Sequence, residues 1–316
     1  MNLKRFLIVV WVAGCGGGGG GGNGGDGPGP GDPDAPMNPP NDASPGGDAT
    51  DATVNPIDAT VQAAANDLCA NATTIVTSSP HAQIDATMTG AHAELTAPCG
   101  TAGTPDVFFK FTLSRRELVY ADTFGATGAT ALFFASSCAT ARTAATTTGD
   151  ALCSTGACGT TQSQVVAMLD PGTHYLVLAS QSAATIHFQH VEVGSGTVQP
   201  LAQGSSAPTG TTSGSGLLYA CDGGGAENSY WWRTCPSDAG GAFQASTCTG
   251  TDFDTILSLQ LPGSDLVMCD DDTDGCGQFQ SRVTANIPAG AGLYVISVDG
   301  FSQAKHGNYT LTSSRP

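Results

Sequence analysis

The sequence predicts an all-β protein: two tandem, jelly-roll-like β-sandwich domains that follow a disordered tether. Short runs rich in Val, Ile, Phe, Tyr and Thr alternate with clusters of Gly, Pro, Ser and Asp, the usual pattern of strands and turns. The landmarks of one half of the chain recur in the same order in the other half. No amphipathic helical stretch of convincing length is visible, and 43 glycines disfavour helix.

Residues 1–14 have the form of a secretion signal, with Lys4 and Arg5 before a short apolar run. That run is too short to span a membrane as a helix, which takes about 20 apolar residues. Val12–Cys15 resembles the bacterial lipobox. The resemblance implies that Cys15 is acylated and anchors the mature chain to a membrane, and that Gly16 directs it to the outer membrane and the cell surface. The alternative is an ordinary signal peptide with an incidental cysteine.

Residues 15–64 comprise the lipidated cysteine and, after it, the tether. It begins with seven consecutive glycines and contains no Lys, Arg or aromatic residue. Such a segment cannot bury enough apolar surface to offset its ordering entropy, so it is predicted to be disordered. No strand precedes the glycines and no Lys-Ser/Thr follows them, so they do not form a phosphate-binding loop. The segment is a spacer.

Charge and cysteine content exclude several classes of protein. The net charge of −17 repels phosphate backbones, so no nucleic-acid partner is expected. Eleven cysteines are too many for a reduced cytoplasm unless they bind metal, but no CxxC pair or Cys/His cluster is present. Behind a secretion signal, disulfides are the expected state of the ten cysteines that follow Cys15.

The folded region divides into a first domain at residues 65–197 and a second at 198–316. Equivalent landmarks in the two copies are Cys99 and Cys221, Gln162 and Gln280, and Tyr175 and Tyr294. A constant order at nearly constant spacing indicates a duplicated domain.

Three segments carry a family resemblance: Pro105–Phe111, Thr251–Leu259 and Ala291–Thr312. They resemble bacterial pre-peptidase C-terminal (PPC) domains, which are β-sandwich or jelly-roll modules appended to secreted proteases and surface proteins. The combination of lipobox, tether and tandem cysteine-containing copies is similar to surface lipoproteins of myxobacteria. The resemblance implies a fold and a surface location. It implies no enzymatic activity, because the chain carries no recognisable peptidase domain.

Repeat position suggests a set of cysteine pairs. The predicted pairs are Cys153–Cys158, Cys269–Cys276, Cys235–Cys248 and Cys69–Cys99. Cys138 and Cys221 are left over; they pair with each other or belong to a reshuffled set. Sequence alone cannot choose among the many connectivities of ten cysteines.

An acidic run offers the one candidate for a cofactor. Asp270, Asp272, Asp274 and Gly275 match the first half of a calcium loop, but Ser281 stands where a bidentate Glu belongs. Asp252 and Asp254 are expected to converge on the same loop. The two interpretations are weak calcium binding and a solvated acidic turn; otherwise no cofactor is expected.

Aromatic and histidine motifs complete the candidates. Trp231 is interpreted either as core or as a ligand platform for sugars, on the strand face opposite Tyr230 and Trp232. His187 and His190 alternate in direction along a strand and cannot join in one metal site. No common hydrolase or nucleotide-hydrolase signature is present in the sequence.

These features predict a non-catalytic cell-surface lipoprotein whose two sandwiches bind or adhere to an extracellular polymer or protein. The expected partners are the membrane, through the lipid, and a polysaccharide or surface protein. The alternatives are a carbohydrate-binding module and an accessory protein of a secreted protease.

Overall fold

Strands make up nearly all the regular structure in the computed structural model. It describes residues 64–95, 98–138, 140–141, 152–213, 221, 223–264 and 267–316. The signal segment, the lipobox and the tether up to residue 63 lie outside the described residues. All described residues belong to one compact unit, Ile57–Pro316. In the part of the chain described, no helix is long and apolar enough to cross a membrane.

The first sandwich follows a one-turn 3₁₀ helix at Cys69–Asn71. Its strands are β1 (Thr73–Thr74), β2 (His81–Ala86), β3 (Asp106–Leu113), β4 (Glu117–Asp122), β5 (Thr130–Ser137), β6 (Thr140–Ala141), β7 (Cys153–Ser154), β8 (Gln164–Leu169), β9 (Gly172–Ser180) and β10 (Ala184–Glu192). One sheet has the order β1-β3-β9-β5-β6, with β7 also on β5, and the other has the order β2-β10-β4-β8.

The second sandwich contains β11 (Val198–Pro200), β12 (Gly204–Ser206), β13 (Thr209–Thr211), β14 (Asn228–Thr234), β15 (Gly241–Ser246), β16 (Thr255–Gln260), β17 (Val267–Asp271), β18 (Arg282–Ile287), β19 (Gly292–Gly300), β20 (Asn308–Thr310) and β21 (Thr312–Arg315). Its sheets have the orders β11-β14-β19-β16-β17 and β12-β21-β15-β18, and β13 pairs with β20.

The two sandwiches share one topology in their main sheets, and among the described strands only β6, β13 and β20 have no counterpart in the other copy. Each begins with a short parallel strand, β1 on β3 and β11 on β14, before the antiparallel pairs β3–β9 and β14–β19. The registers match as well: Phe109 lies opposite Leu176, and Tyr230 lies opposite Ile296. The chain is therefore an all-β protein of two sandwiches with one repeated design.

Each sandwich encloses its own core of alternating inward side chains. In the first copy, Phe109 and Phe111 pack between the sheets. In the second, Trp232 stacks on Phe243 and on Tyr294, with 4.9 Å between ring centroids in both pairs. Their burial follows from strand alternation, which sends every second side chain of β3 and β14 into the core.

A third apolar cluster joins the two sandwiches. Leu118, Tyr120 and Val166 on the outer face of the first sandwich pack against Trp231 and Val295 of the second. Two hydrogen bonds also join the sandwiches: Gln164 Nε2 and Gln189 Nε2 donate to backbone carbonyls of the second sandwich at 2.8 and 3.0 Å. The sandwiches are therefore packed on each other and are not independent modules on a string.

All ten cysteines after Cys15 form disulfides, but none of the four predicted pairs is present. Cys138 and Cys221 do not pair with each other, and they belong to a reshuffled set, which was the second alternative. The bridges are Cys69–Cys138, Cys99–Cys153, Cys158–Cys235, Cys221–Cys269 and Cys248–Cys276. The predicted pairs Cys153–Cys158, Cys269–Cys276, Cys235–Cys248 and Cys69–Cys99 assumed that neighbours in sequence close their own loops. The β5–β7 and β16–β17 pairs instead carry Cys153 and Cys269 toward Cys99 and Cys221, giving one equivalent bridge in each copy.

Cys158 and Cys276 also occupy equivalent loops but have different partners. Cys276 pairs within its own sandwich, whereas Cys158 crosses to Cys235 of the second sandwich. This bridge is a covalent tie between the two copies.

Candidate functional site

Each sandwich contains an equivalent buried cluster of hydroxyl groups beneath the loops at one of its ends. In the second sandwich this end is called the loop end. The members of the cluster are Thr123, Thr130 and Ser163 in the first copy, and Thr247, Thr255 and Ser281 in the second. In each copy the serine amide donates to the first threonine hydroxyl, at 3.0 and 3.1 Å, and the serine hydroxyl donates to the carbonyl of the second threonine. The base of this end is therefore identical in the two sandwiches.

Three carboxylates meet above this base. Asp254, Asp271 and Asp272 each offer an oxygen, and these oxygens lie within 4.8 Å of one another. Asp254 immediately precedes β16, while Asp271 ends β17, its antiparallel neighbour. Asp272 leaves the strand with a φ of 60°, in the left-handed region. Strand pairing thus assembles an acidic cluster from residues distant in the sequence.

The structure brings only some residues of the predicted calcium loop together. Asp272 belongs to the cluster, and so does Asp254, but Asp270 and Asp274 do not. Alternation along β17 turns Asp270 away from Asp271, and its Oδ1 accepts the Arg282 amide at 2.7 Å and the Thr273 hydroxyl. Asp270 therefore closes its own loop, and the carboxylates that converge do not follow the one-three-five spacing.

The negative charges of the clustered carboxylates repel one another. Partial desolvation of its carboxyl raises the pKa of Asp271, and the charges of Asp272 and Asp254 raise it further. Among the described residues, Asp254 Oδ1 is buried and has no hydrogen-bond partner. The cluster therefore favours an added positive charge.

Two exposed phenylalanines and one lysine lie at the same end of the sandwich as the acids. Phe279 and Phe301 are 44% and 51% exposed, unusually high for this residue type. Backbone hydrogen bonds hold both beside the cluster: Thr255 N donates to Phe279 O at 3.0 Å, and Phe301 N donates to Asp254 O at 3.1 Å. Lys305 Nζ lies 3.5 Å from Asp254 Oδ2 and 5.6 Å from the centroid of the Phe279 ring.

The first copy lacks this chemistry on the same base. Thr161 O accepts the Thr130 amide at 3.1 Å, so Thr161 is equivalent to Phe279. Thr130 pairs with Ser180 as Thr255 pairs with Gly300, which makes Ala129 equivalent to Asp254 and Gln181 equivalent to Phe301. A shared scaffold thus presents an acidic, aromatic end in one copy only.

The structure excludes the ligand-platform interpretation of Trp231. This residue is 4% exposed, and its ring is covered by the first sandwich. Sequence alternation correctly placed Trp231 on the face opposite Tyr230 and Trp232. It could not show that another domain covers that face.

The two histidines point to opposite faces, as predicted. His187 Nδ1 lies 2.9 Å from Asp122 Oδ1, and this hydrogen bond raises the His187 pKa. His190 pairs with Glu117; burial opposes protonation of His190, but the hydrogen bond to Glu117, the charge of Glu117 and the hydrogen bond to the Ser79 carbonyl together outweigh it and raise the pKa. Neither histidine lies in the acidic cluster.

A groove between the two sandwiches was not predicted. Its volume is about 540 Å³, and its polar floor is the row Gln83, His187 and Asp122 on three adjacent strands, with Tyr120 OH donating to Asp122 at 2.6 Å. Prolines of the second sandwich form its other wall. The row is invisible in the sequence, because its members come from strands far apart in the chain.

Comparison with known proteins leaves the family open. No family model and no curated protein matches the chain. Among solved structures, one described as the triple jelly roll fold and turret assembly in an archaeal virus aligns over 76% of this chain and 59% of that chain, at 9% identity and a TM-score of 0.21. A "putative secreted protein" from Eubacterium rectale aligns over 67% and 70%, at 12% identity and a TM-score of 0.18. This chain spans less than two thirds of the first of these, and the fold assignment rests on its own strand order.

Proposed function

We propose that this chain is a non-catalytic, lipid-anchored surface protein that binds an extracellular polymer or protein through the loop end of its second sandwich. The observation that carries the proposal is the difference between the copies. The same hydroxyl base presents Thr161 and Gln181 in one copy, and Phe279 and Phe301 beside three carboxylates in the other. Exposed aromatic side chains with nearby charged groups are typical of binding surfaces.

The remaining parts of the proposal come from the sequence. The lipobox at Cys15 supports anchoring at the outer membrane, and the tether supports display away from it. The PPC resemblance supports an appended, non-enzymatic module. The packed and bridged pair of sandwiches supports a rigid display unit, since a ligand pulling on one sandwich also pulls on the other.

The test is binding of the full-length protein to a panel of glycans, envelope preparations and surface proteins. The variant Phe279→Thr/Phe301→Gln gives this end the side chains of the first copy, and Thr161→Ala/Gln181→Ala is the matched control. We expect the first variant to lose binding and the control to keep it. The proposal would be refuted if Phe279→Thr/Phe301→Gln bound as well as its control Thr161→Ala/Gln181→Ala. Hydrolysis of peptide, ester or glycan substrates by the wild type would also refute it.

A carbohydrate ligand is the second candidate, and the exposed Phe279 and Phe301 rings favour it, since aromatic faces can stack on sugars. A glycan signal abolished by Phe279→Thr/Phe301→Gln would support it. The accessory role beside a secreted protease predicts instead co-purification with such an enzyme.

A further inference from the structure

The chain supplies its own cation to the acidic, aromatic end. The Lys305 ammonium contacts Asp254 and also lies over the Phe279 ring. Both contacts are of the kind that bind ammonium and guanidinium groups: a carboxylate partner and the electron-rich face of an aromatic ring. The Lys305 side chain is 45% exposed, so it can leave without disturbing the core.

The Lys305 ammonium does not neutralise the negative charge of this end. Three carboxylates converge there against the single ammonium of Lys305, and Asp271 and Asp272 are both exposed. Phe301, whose backbone amide donates to the Asp254 carbonyl, adds a second half-exposed aromatic side chain to this end. The end therefore retains negative charge and an unused aromatic surface, which is complementary to a further organic cation.

The same geometry argues against a calcium ion as the occupant. Calcium takes about six to eight oxygen ligands, and three carboxylates supply six only if each binds through both oxygens; here one of the three already pairs with Lys305. An aromatic ring beside the carboxylates contributes nothing to calcium coordination but stabilises an ammonium or guanidinium group.

We propose that this end of the second sandwich receives a lysine or arginine side chain of a partner protein, held between Phe279, Phe301 and the carboxylates of Asp254, Asp271 and Asp272, in competition with Lys305. The inference rests on the proposed function, whose ligand class it narrows to a basic protein segment. Lys305 occupies the site in the absence of the partner and is displaced on binding.

The experiment titrates the full-length protein with hexalysine, and with hexaglutamate, calcium chloride and a neutral oligosaccharide in parallel, by calorimetry at moderate salt. We expect hexalysine alone to bind with defined stoichiometry. Phe279→Thr/Phe301→Gln leaves the net charge unchanged and should weaken hexalysine about tenfold, the effect of losing two exposed cation–π contacts. Lys305→Ala should tighten binding severalfold, whereas Lys110→Ala in the first sandwich, with the same change in charge, should not.

Several results would overturn the inference. Equal hexalysine binding by Phe279→Thr/Phe301→Gln with an unchanged melting temperature would show diffuse attraction to an acidic protein. Stoichiometric calcium binding lost in Asp271→Asn would make this a metal site. Oligosaccharide binding lost in the phenylalanine variant would also refute the basic partner, yet it would leave the proposed binding function intact. Absence of any ligand for this end, here and in the wider panel, would refute both.

Discussion

The bridge between the sandwiches gives the sharpest test of the architecture. Cys158 and Cys235 are 77 residues apart in the sequence and 5.6 Å apart between Cα atoms. Closing a loop of that length removes unfolded-chain entropy equivalent to about 4.5 kcal/mol at 25 °C. Because total stabilities are about 5–15 kcal/mol, Cys158→Ser/Cys235→Ser should lower the free energy of unfolding by a large fraction.

The assay is chemical denaturation without reductant, followed by circular dichroism. We expect a lower midpoint and a splitting into two transitions, because the apolar cluster around Trp231 and the hydrogen bonds of Gln164 and Gln189 must then couple the sandwiches without a covalent tie. The control is Cys248→Ser/Cys276→Ser, whose 28-residue loop is worth about 3.6 kcal/mol and lies within one sandwich. An unchanged midpoint for the first variant, or a non-reduced peptide linking Cys153 to Cys158, would refute the reasoning.

Three further predictions follow from single residues. Trp231→Ala should cost about 3–5 kcal/mol, because it opens a cavity between the sandwiches; a melting temperature within a degree of wild type would contradict this burial. Burial raises the pKa of Asp299 to about 7, so its native carboxyl keeps a proton that the unfolded chain releases near pH 4, and stability should fall as the pH rises between these values. Asp299→Asn should flatten that decline, and a pH profile like that of the wild type would argue against it. Cys15→Ser should abolish acylation and release or stall the precursor, and mass spectrometry of the mature wild-type N-terminus should show the lipid; an unmodified N-terminus would disprove the anchor.

The residues of the candidate site differ in how far the sequence could identify them. Asp272 was found because it lies in an acidic run, and Asp254 because it lies in a neighbouring motif. Phe279 and Phe301 were not found, since a single phenylalanine in a turn carries no pattern and its exposure depends on what packs over it. A closer comparison of the two copies offers the missing signal, because a polar residue in the first copy occupies the position that an aromatic residue occupies in the second.

The sequence by itself determined the strands, the turns, the duplication and the disulfide-bonded state, because these depend on local propensity, periodicity and composition. Only the tertiary structure decided which cysteines pair, since β7 and β17 carry Cys153 and Cys269 to partners that no local spacing reveals. It also decided the role of Trp231. Alternation sets the face of a sheet on which a side chain lies, but a neighbouring domain sets whether that face meets water, and contacts between distant segments are not encoded in any local pattern.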